Sequence, residues 1–332
     1  MSRSLGYDLS VVEKTGRSRA DSQPVRVAIA QSAPVYLDKP ASLAKALDLI
    51  EQAAKRDARL VAFGETWLAG YPAWLDVSPG AALWENSSTK DVFARLRRNS
   101  LVVPGEEVNA LSEAARDLKI AIVIGANERV DAGPGNGTLY NALLTISEDG
   151  RLANHHRKLI PTYTERLVWG NGDGRGLEAV PTSSGRVGGL ICWEHWMPLA
   201  RMAMHNSGEH IHVAVWPTVH ELHQLASRHY AFEGRCFVLA VGLMMPTEDL
   251  PRELRDGATL RPSESQWIER GGSAIIGPDA RYVLDPVFDR EELLVSDLDL
   301  TQIDREKMTF DVSGHYARPD LFRFERKYTD AK

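Results

Sequence analysis

Cys192 ends the apolar run 187–191 in RVGGLICWEHWMP (186–198) and is followed at once by Trp-Glu-His-Trp. A thiol where a short buried strand turns toward a helix meets exposed backbone N–H groups, which can both lower a thiol pKa and hold a developing anion. On position alone, packing is the commoner reason for a buried cysteine. Cys236 opens CFVLAVGL with no polar group beside it and is assigned to packing. A cysteine nucleophile also needs a proton acceptor and a group that opposes charge on the attacked atom. Glu65 closes the apolar stretch LVAFGE, at the strand end where open α/β sheets bind ligands, although alone it reads equally as a loop acid. Lys158 in NHHRKLIP reads alone as a solvated charge, and Glu165 as a solvated acid paired with Arg166.

Histidine is the usual base for a thiol, and six of the ten lie between His205 and His229. His210 and His212 share a strand face, and His220 and His223 could share a helix face. HELH (220–223) is one residue short of the HExxH spacing that puts two imidazoles on one helix face, so satisfied or solvated histidines are the simpler account and no metal is expected. GNGDGRG (170–176) fits neither a dinucleotide fingerprint nor a P-loop. It reads as a turn-rich loop, and no cofactor is expected.

The elements that must position these groups follow from apolar periodicity. Strands are expected at 25–34, 59–65, 120–126, 188–191, 211–217 and 236–243, alternating with helical patterns at 41–58, 108–119, 198–208 and 220–235. Ser42 is the expected N-cap of the first helix, and 138–159 reads as a hairpin around Asp149-Gly150. This rhythm predicts an α/β protein whose strands are covered by helices. Residues 1–24 read as a polar leader, 25–322 as one domain with a surface excursion at 245–273, and 323–332 as a short tail.

The 332 residues are 43% hydrophobic and 25% charged, which indicates neither disorder nor a fibrous class. A formal charge of −6 argues against a nucleic-acid or anionic-membrane binder and favours a small-molecule partner. Two cysteines without metal or disulfide spacing suit a reducing cytoplasm, and no stretch approaches the roughly 18 apolar residues of a membrane helix.

Taken together, FGETWLAGYP (63–72), HRKLIPTYTERLVWGNGDG (156–174) and GLICWEHWMPLAR (189–201), in that order, resemble the three signature segments of the nitrilase superfamily, and GHYARPDLF (314–322) resembles the end of its nitrilase branch. The resemblance spans about 25–322 and implies a four-layer α-β-β-α sandwich that hydrolyses carbon–nitrogen bonds with a Glu–Lys–Cys triad. Position by position it implies Cys192 as nucleophile, Glu65 as general base, Lys158 as the cation beside the intermediate, and Glu165 as a second glutamate that places water and Lys158. Trp193 after the cysteine is the feature most like true nitrilases and would wall the pocket, with Trp67, Tyr71 and Trp169 as further lining candidates. The resemblance implies a nitrile substrate giving an acid and ammonia. An amidase, an N-carbamoyl amide hydrolase or a cyanide dihydratase is the alternative. It further implies a homodimer or higher homo-oligomer, paired through the helix near 198–206; the short stretch after HYARPD argues against long spirals.

Overall fold

The computed structural model describes residues 23–255, 258–260 and 266–327. The expected leader up to residue 22, part of the 245–273 excursion and the tail beyond 327 lie outside these. The first half of the chain runs β1 (Val25–Gln31), α1 (Lys39–Lys55), β2 (Leu60–Phe63), α2 (Trp74–Val77), α3 (Ser87–Arg98), α4 (Glu106–Leu118), β3 (Ala121–Arg129), β4 (Leu139–Ile146) and β5 (Leu152–Arg157). The second half runs β6 (Val180–Thr182), β7 (Gly185–Ile191), α5 (Pro198–Asn206), β8 (Ile211–Trp216), α6 (Glu221–Gly234), β9 (Phe237–Gly242), β10 (Met244–Pro246), α7 (Arg252–Arg255), β11 (Trp267–Ile276), β12 (Tyr282–Phe288), β13 (Glu292–Leu298) and α8 (Thr301–Lys307).

The strands form two sheets, ordered β13-β1-β2-β3-β4-β5 and β10-β11-β9-β8-β7-β6, with β12 beside β11. Each sheet is built on three parallel strands, β1-β2-β3 in one and β7-β8-β9 in the other. Helices supply the crossovers that parallel strands require.

Side chains alternate across a strand, and β1 shows what each face meets. Val27 and Ile29 belong to the core shared with β7, β8 and β9, whereas Ala28 and Ala30 pack with Ala46, Ile50 and Ala53 of α1. Both faces of the parallel strands are therefore dry, which is why they read as continuous apolar runs. Helices α1 and α4 cover the outer face of one sheet, α5 and α6 that of the other, and the inner faces meet. The result is a four-layer α-β-β-α sandwich, one layer more than strand–helix alternation alone suggests.

Local signals account for most element boundaries. Helix α1 is capped by Asp38, whose carboxylate accepts the Ala41 N–H at 3.0 Å. Ser42, the expected cap, lies inside the helix and donates to the Val35 carbonyl instead. Apolar periodicity does not indicate α3, because only Val92 and Leu96 are buried in an otherwise basic and polar sequence. Nor does it indicate β13, which pairs antiparallel with β1 from Val25↔Leu298 to Gln31↔Glu292 and covers that edge. The expected excursion ends earlier than 273, since β11 begins at Trp267 and pairs with β9. Among the described residues no helix is long and apolar enough to cross a membrane.

Candidate active site

The carboxyl ends of β2, β5 and β7 converge between the two sheets. Glu65 follows β2, and its backbone crosses Gly125 of β3 so closely that a Cβ there would lie 2.3 Å from the Gly64 carbonyl oxygen and 2.5 Å from the Thr66 nitrogen. Lys158 follows β5, with its N–H on the Asn141 carbonyl at 2.8 Å. Beneath it, Gly172 donates to the Lys158 carbonyl at 2.8 Å, and a Cβ on Gly172 would lie 2.1 Å from the Arg157 carbonyl oxygen. The glycine-rich loop is thus a backbone-to-backbone support for the lysine. Cys192 follows β7 at φ +53°, a left-handed conformation that costs a non-glycine residue about 1–2 kcal/mol and must be held by its surroundings.

The structure brings Glu65, Lys158, Glu165 and Cys192 together, all buried. Lys158 Nζ donates to Glu65 Oε1 at 3.1 Å and to Glu165 Oε2 at 2.7 Å. One carboxylate oxygen from each glutamate and the Cys192 sulfur lie within 4.8 Å of one another. Such a trio could in principle ligate a metal, but the cation between the carboxylates here is the lysine ammonium, against whose charge a divalent ion would be set. Glu165 does not pair with Arg166, which donates to the Pro161 carbonyl. It is clamped by Lys158, by the Thr162 N–H at 2.7 Å and by the Tyr71 hydroxyl at 2.9 Å.

Burial and mutual charge set the protonation states. Desolvation pushes Glu65 up to about 7, opposed by Lys158 and by the Asn141 amide at 2.7 Å, and reinforced by Glu165. Its other oxygen, Oε2, has no hydrogen-bond partner. Burial would lower Lys158, yet the acidic groups Cys192, Glu65 and Glu165 outweigh it and keep the ammonium charged. The Cys192 thiol is held well above its ordinary value by desolvation, with Lys158 and the Trp193 backbone N–H pulling the other way. The site therefore rests as a neutral thiol beside a carboxylate poised near neutrality and a fixed cation.

Two residues to which the sequence assigns no role are essential to this geometry. Asn141, inward-facing on β4, orients Glu65. Glu194 accepts the Ile191 N–H at 2.7 Å, the Leu159 N–H at 2.8 Å and His156 Nε2 at 2.9 Å, so one buried carboxylate ties the residue before Cys192 to the residue after Lys158. Desolvation opposes its ionisation, but His156 and the two backbone donors hold it below the usual carboxylate range. A glutamate two residues after a candidate nucleophile, still within its turn, was the available signal.

The four aromatic candidates separate. Tyr71 stands against Trp169, ring centroids 5.8 Å apart, with its hydroxyl committed to Glu165. Trp169 donates to Asn127 at 3.0 Å. Trp67 is enclosed in the core, edge-on to Phe63, and donates to the Ser32 carbonyl at 2.7 Å. Trp193 is 53% exposed. A cleft of about 290 Å³ lined by Trp74, Leu83, Trp84, Phe93, Leu167 and Val168 adjoins the Glu165 turn without including Glu65, Lys158 or Cys192.

Comparison with known proteins agrees with this architecture. The chain is 41% identical over 303 residues to "Nitrilase 2" from an unknown prokaryotic organism, covering 91% of this chain and 92% of that one. It is 40% identical over 302 residues to the aliphatic nitrilase of Sinorhizobium fredii (strain HH103), covering 90% and 94%. The crystal structure of a carbon-nitrogen hydrolase from Helicobacter pylori G27 superposes with a TM-score of 0.66 at 18% identity, over 90% of this chain and 96% of that one, and so shares the fold. The family model for carbon-nitrogen hydrolases matches residues 26–307, and the chain belongs to that family.

Proposed function

We propose that this protein is a nitrilase that converts an organic nitrile and two waters into a carboxylic acid and ammonia. One observation carries the reading: a buried thiol stands beside a lysine ammonium that two carboxylates hold in place, one of them with an unpartnered oxygen. The names of the 41% and 40% identical relatives support a nitrile as the substrate.

In the proposed reaction Cys192 Sγ attacks the nitrile carbon while its proton passes to Glu65, and the Lys158 ammonium and the Trp193 N–H oppose the charge that builds on nitrogen. Protonation of that nitrogen from Glu65 gives a thioimidate and restores the carboxylate. Glu65 then takes a proton from a water that adds to the carbon and passes it to the nitrogen, and next takes the proton of the new hydroxyl and passes it to the amino group, so that ammonia leaves and a thioester remains. A second water, activated in the same way, cleaves the thioester to the acid and the free thiol. Glu165 is the positioning acid for Lys158.

The catalytic unit in this reading is 25–322. Leu199, Leu222, Leu225 and Phe232, exposed on α5 and α6, support pairing of two copies through these helices, which sedimentation would test. Two free buried cysteines suit a cytoplasmic enzyme. The decisive experiment is ammonia release from aryl, arylacetyl and aliphatic nitriles beside the matching amides and N-carbamoyl amino acids, with Cys192→Ala as control. Nitrile turnover lost in the variant is expected. Turnover of amides alone would move the substrate to the amidase class, and turnover that survives Cys192→Ala would overturn the mechanism.

A further inference from the structure

Behind the nucleophile turn lies a buried polar chain that the proposed reaction does not use. His195 Nδ1 lies 2.7 Å from the Cys192 carbonyl oxygen, His195 Nε2 lies 3.0 Å from His212 Nε2, and His212 Nδ1 lies 2.6 Å from Glu209 Oε1. The Tyr230 hydroxyl closes the chain by donating to Glu209 Oε2 at 2.6 Å. All four side chains are buried. The fold makes room for them, because a Cβ on Gly188 would lie 2.1 Å from Glu209 Oε1.

Hydrogen-bond chemistry fixes the protons along this chain. A carbonyl only accepts, so His195 Nδ1 carries hydrogen. Desolvation and the neighbouring His212 keep His195 neutral, its pKa well below the ordinary value, so its Nε2 is bare and accepts from His212 Nε2–H. One proton remains between His212 Nδ1 and Glu209. Burial depresses His212 and pushes Glu209 up to about 7, which places that proton on the acid. Every donor in the chain then points toward Cys192.

The bond that receives this chain is the Cys192–Trp193 peptide. Its carbonyl takes the His195 proton, and its N–H, the Trp193 amide, faces the Cys192 sulfur. Aligned hydrogen bonds polarise one another, and a peptide whose oxygen accepts strongly becomes a better donor through its nitrogen.

We propose that Glu209, His212 and His195 form a positioning relay that locks the Cys192–Trp193 peptide plane at the strained φ of Cys192 and strengthens the Trp193 N–H as the donor to the anionic nitrogen of the intermediate. None of the three touches substrate. The role toward the intermediate rests on the nitrilase reading, whereas the effect on the resting sulfur does not.

Alkylation of Cys192 by iodoacetamide therefore tests the relay without a nitrile, followed by mass spectrometry of the Cys192 peptide in the full-length protein. Glu209→Leu breaks the chain at its source and is expected to slow alkylation about tenfold, and kcat by a similar factor with little change in KM, since the donor is weakened rather than removed. Glu209→Gln keeps a donor toward His212 and an acceptor for Tyr230 and is expected to stay within about threefold of wild type. Tyr230→Phe, the gentler variant should Glu209→Leu not fold, is expected to slow alkylation a fewfold. Wild-type rates in both Glu209→Leu and Tyr230→Phe, or equal slowing in Glu209→Gln and Glu209→Leu, would overturn the relay. Failure of the wild-type protein to turn over any nitrile, with the alkylation pattern intact, would sink the nitrilase reading and leave the relay standing.

Discussion

Replacing Glu194 by Gln removes a single charge from the side chain that ties the Cys192 and Lys158 segments together, and the geometry around it sets the cost. Oε2 accepts from the Ile191 N–H at 2.7 Å and Oε1 from the Leu159 N–H at 2.8 Å, while His156 Nε2 lies 2.9 and 3.1 Å from the two oxygens. Glutamine keeps one oxygen and puts an NH₂ donor where the other stood. His156 can adapt, because its Nδ1 is without a partner and its tautomer can reverse. The backbone N–H groups cannot. Whichever way the amide turns, one buried N–H faces another donor. Losing a hydrogen bond to a charged acceptor costs about 1.5–3 kcal/mol and leaving a buried donor unpaired about 1–3 kcal/mol, together roughly 2.5–6 kcal/mol. That is a large share of the 5–15 kcal/mol, approximately, that holds a typical protein folded. Guanidinium unfolding of the two proteins should therefore show a clearly lower midpoint for Glu194→Gln. Ammonia release should fall at least about tenfold even well below that midpoint, because the displaced residues are the neighbours of Cys192 and Lys158. A variant with the wild-type midpoint would refute the assignment of Glu194 as a fully used acceptor.

The same geometry sets further outcomes. If Glu65, raised to about 7, must be ionised to take the thiol proton, kcat/KM should fall with unit slope as pH drops below about 7 and level off above it; a flat profile from pH 5 to 8 would exclude Glu65 as the base. The acid limb should move in opposite directions in two variants: to lower pH in Glu165→Gln, which removes an anion that raises Glu65, and to higher pH in Asn141→Leu, which removes a donor that lowers it. Limbs that both stay in place would show that these neighbours do not set the pKa. Gly172→Ala should lower both the melting temperature and kcat, since its Cβ would lie 2.1 Å from the Arg157 carbonyl oxygen and 2.8 Å from that of Lys158; retained activity would show that this loop does not support the lysine. Tyr71→Phe removes one of three donors to Glu165 and should destabilise the fold by about 1.5–3 kcal/mol, read as a shift in unfolding midpoint.

Much of the fold was legible because the physics that builds it is local. Alternating apolar runs and helical stripes identify β1, α1, β2, α4, β3, the β4–β5 hairpin and β7 through β9, and three separated motifs in order identify the family. What was not legible depends on contacts distant in sequence. Strand β13 becomes a strand only because it can pair with the edge of β1, roughly the whole chain away. The sequence singles out Glu65, Lys158, Glu165 and Cys192, but not Asn141, whose amide matters only because β4 runs beside the strand end that carries Glu65. Trp67 and Trp169 are suggested as pocket walls by their proximity to the motifs in the sequence; their indole N–H partners, Ser32 and Asn127, are likewise distant in sequence and could not be read from it.

The charge count of the site explains why two carboxylates accompany one lysine. With Glu65 and Glu165 ionised, Lys158 protonated and the thiol neutral, the buried cluster carries one net negative charge. In the proposed attack the thiol proton moves to Glu65 as charge appears on the substrate nitrogen, so the net charge of the buried cluster does not change; the anion only moves from one partner of Lys158 to another. A single carboxylate would leave Lys158 without an anion at that moment except the transient one. Glu165, fixed by Thr162 and Tyr71 and with no part in the proton transfer, keeps the ammonium in place throughout. Burial raises the Cys192 thiol, but it also raises the Glu65 carboxyl and so makes Glu65 a stronger base for the proton the thiol gives up, while the lysine stays charged.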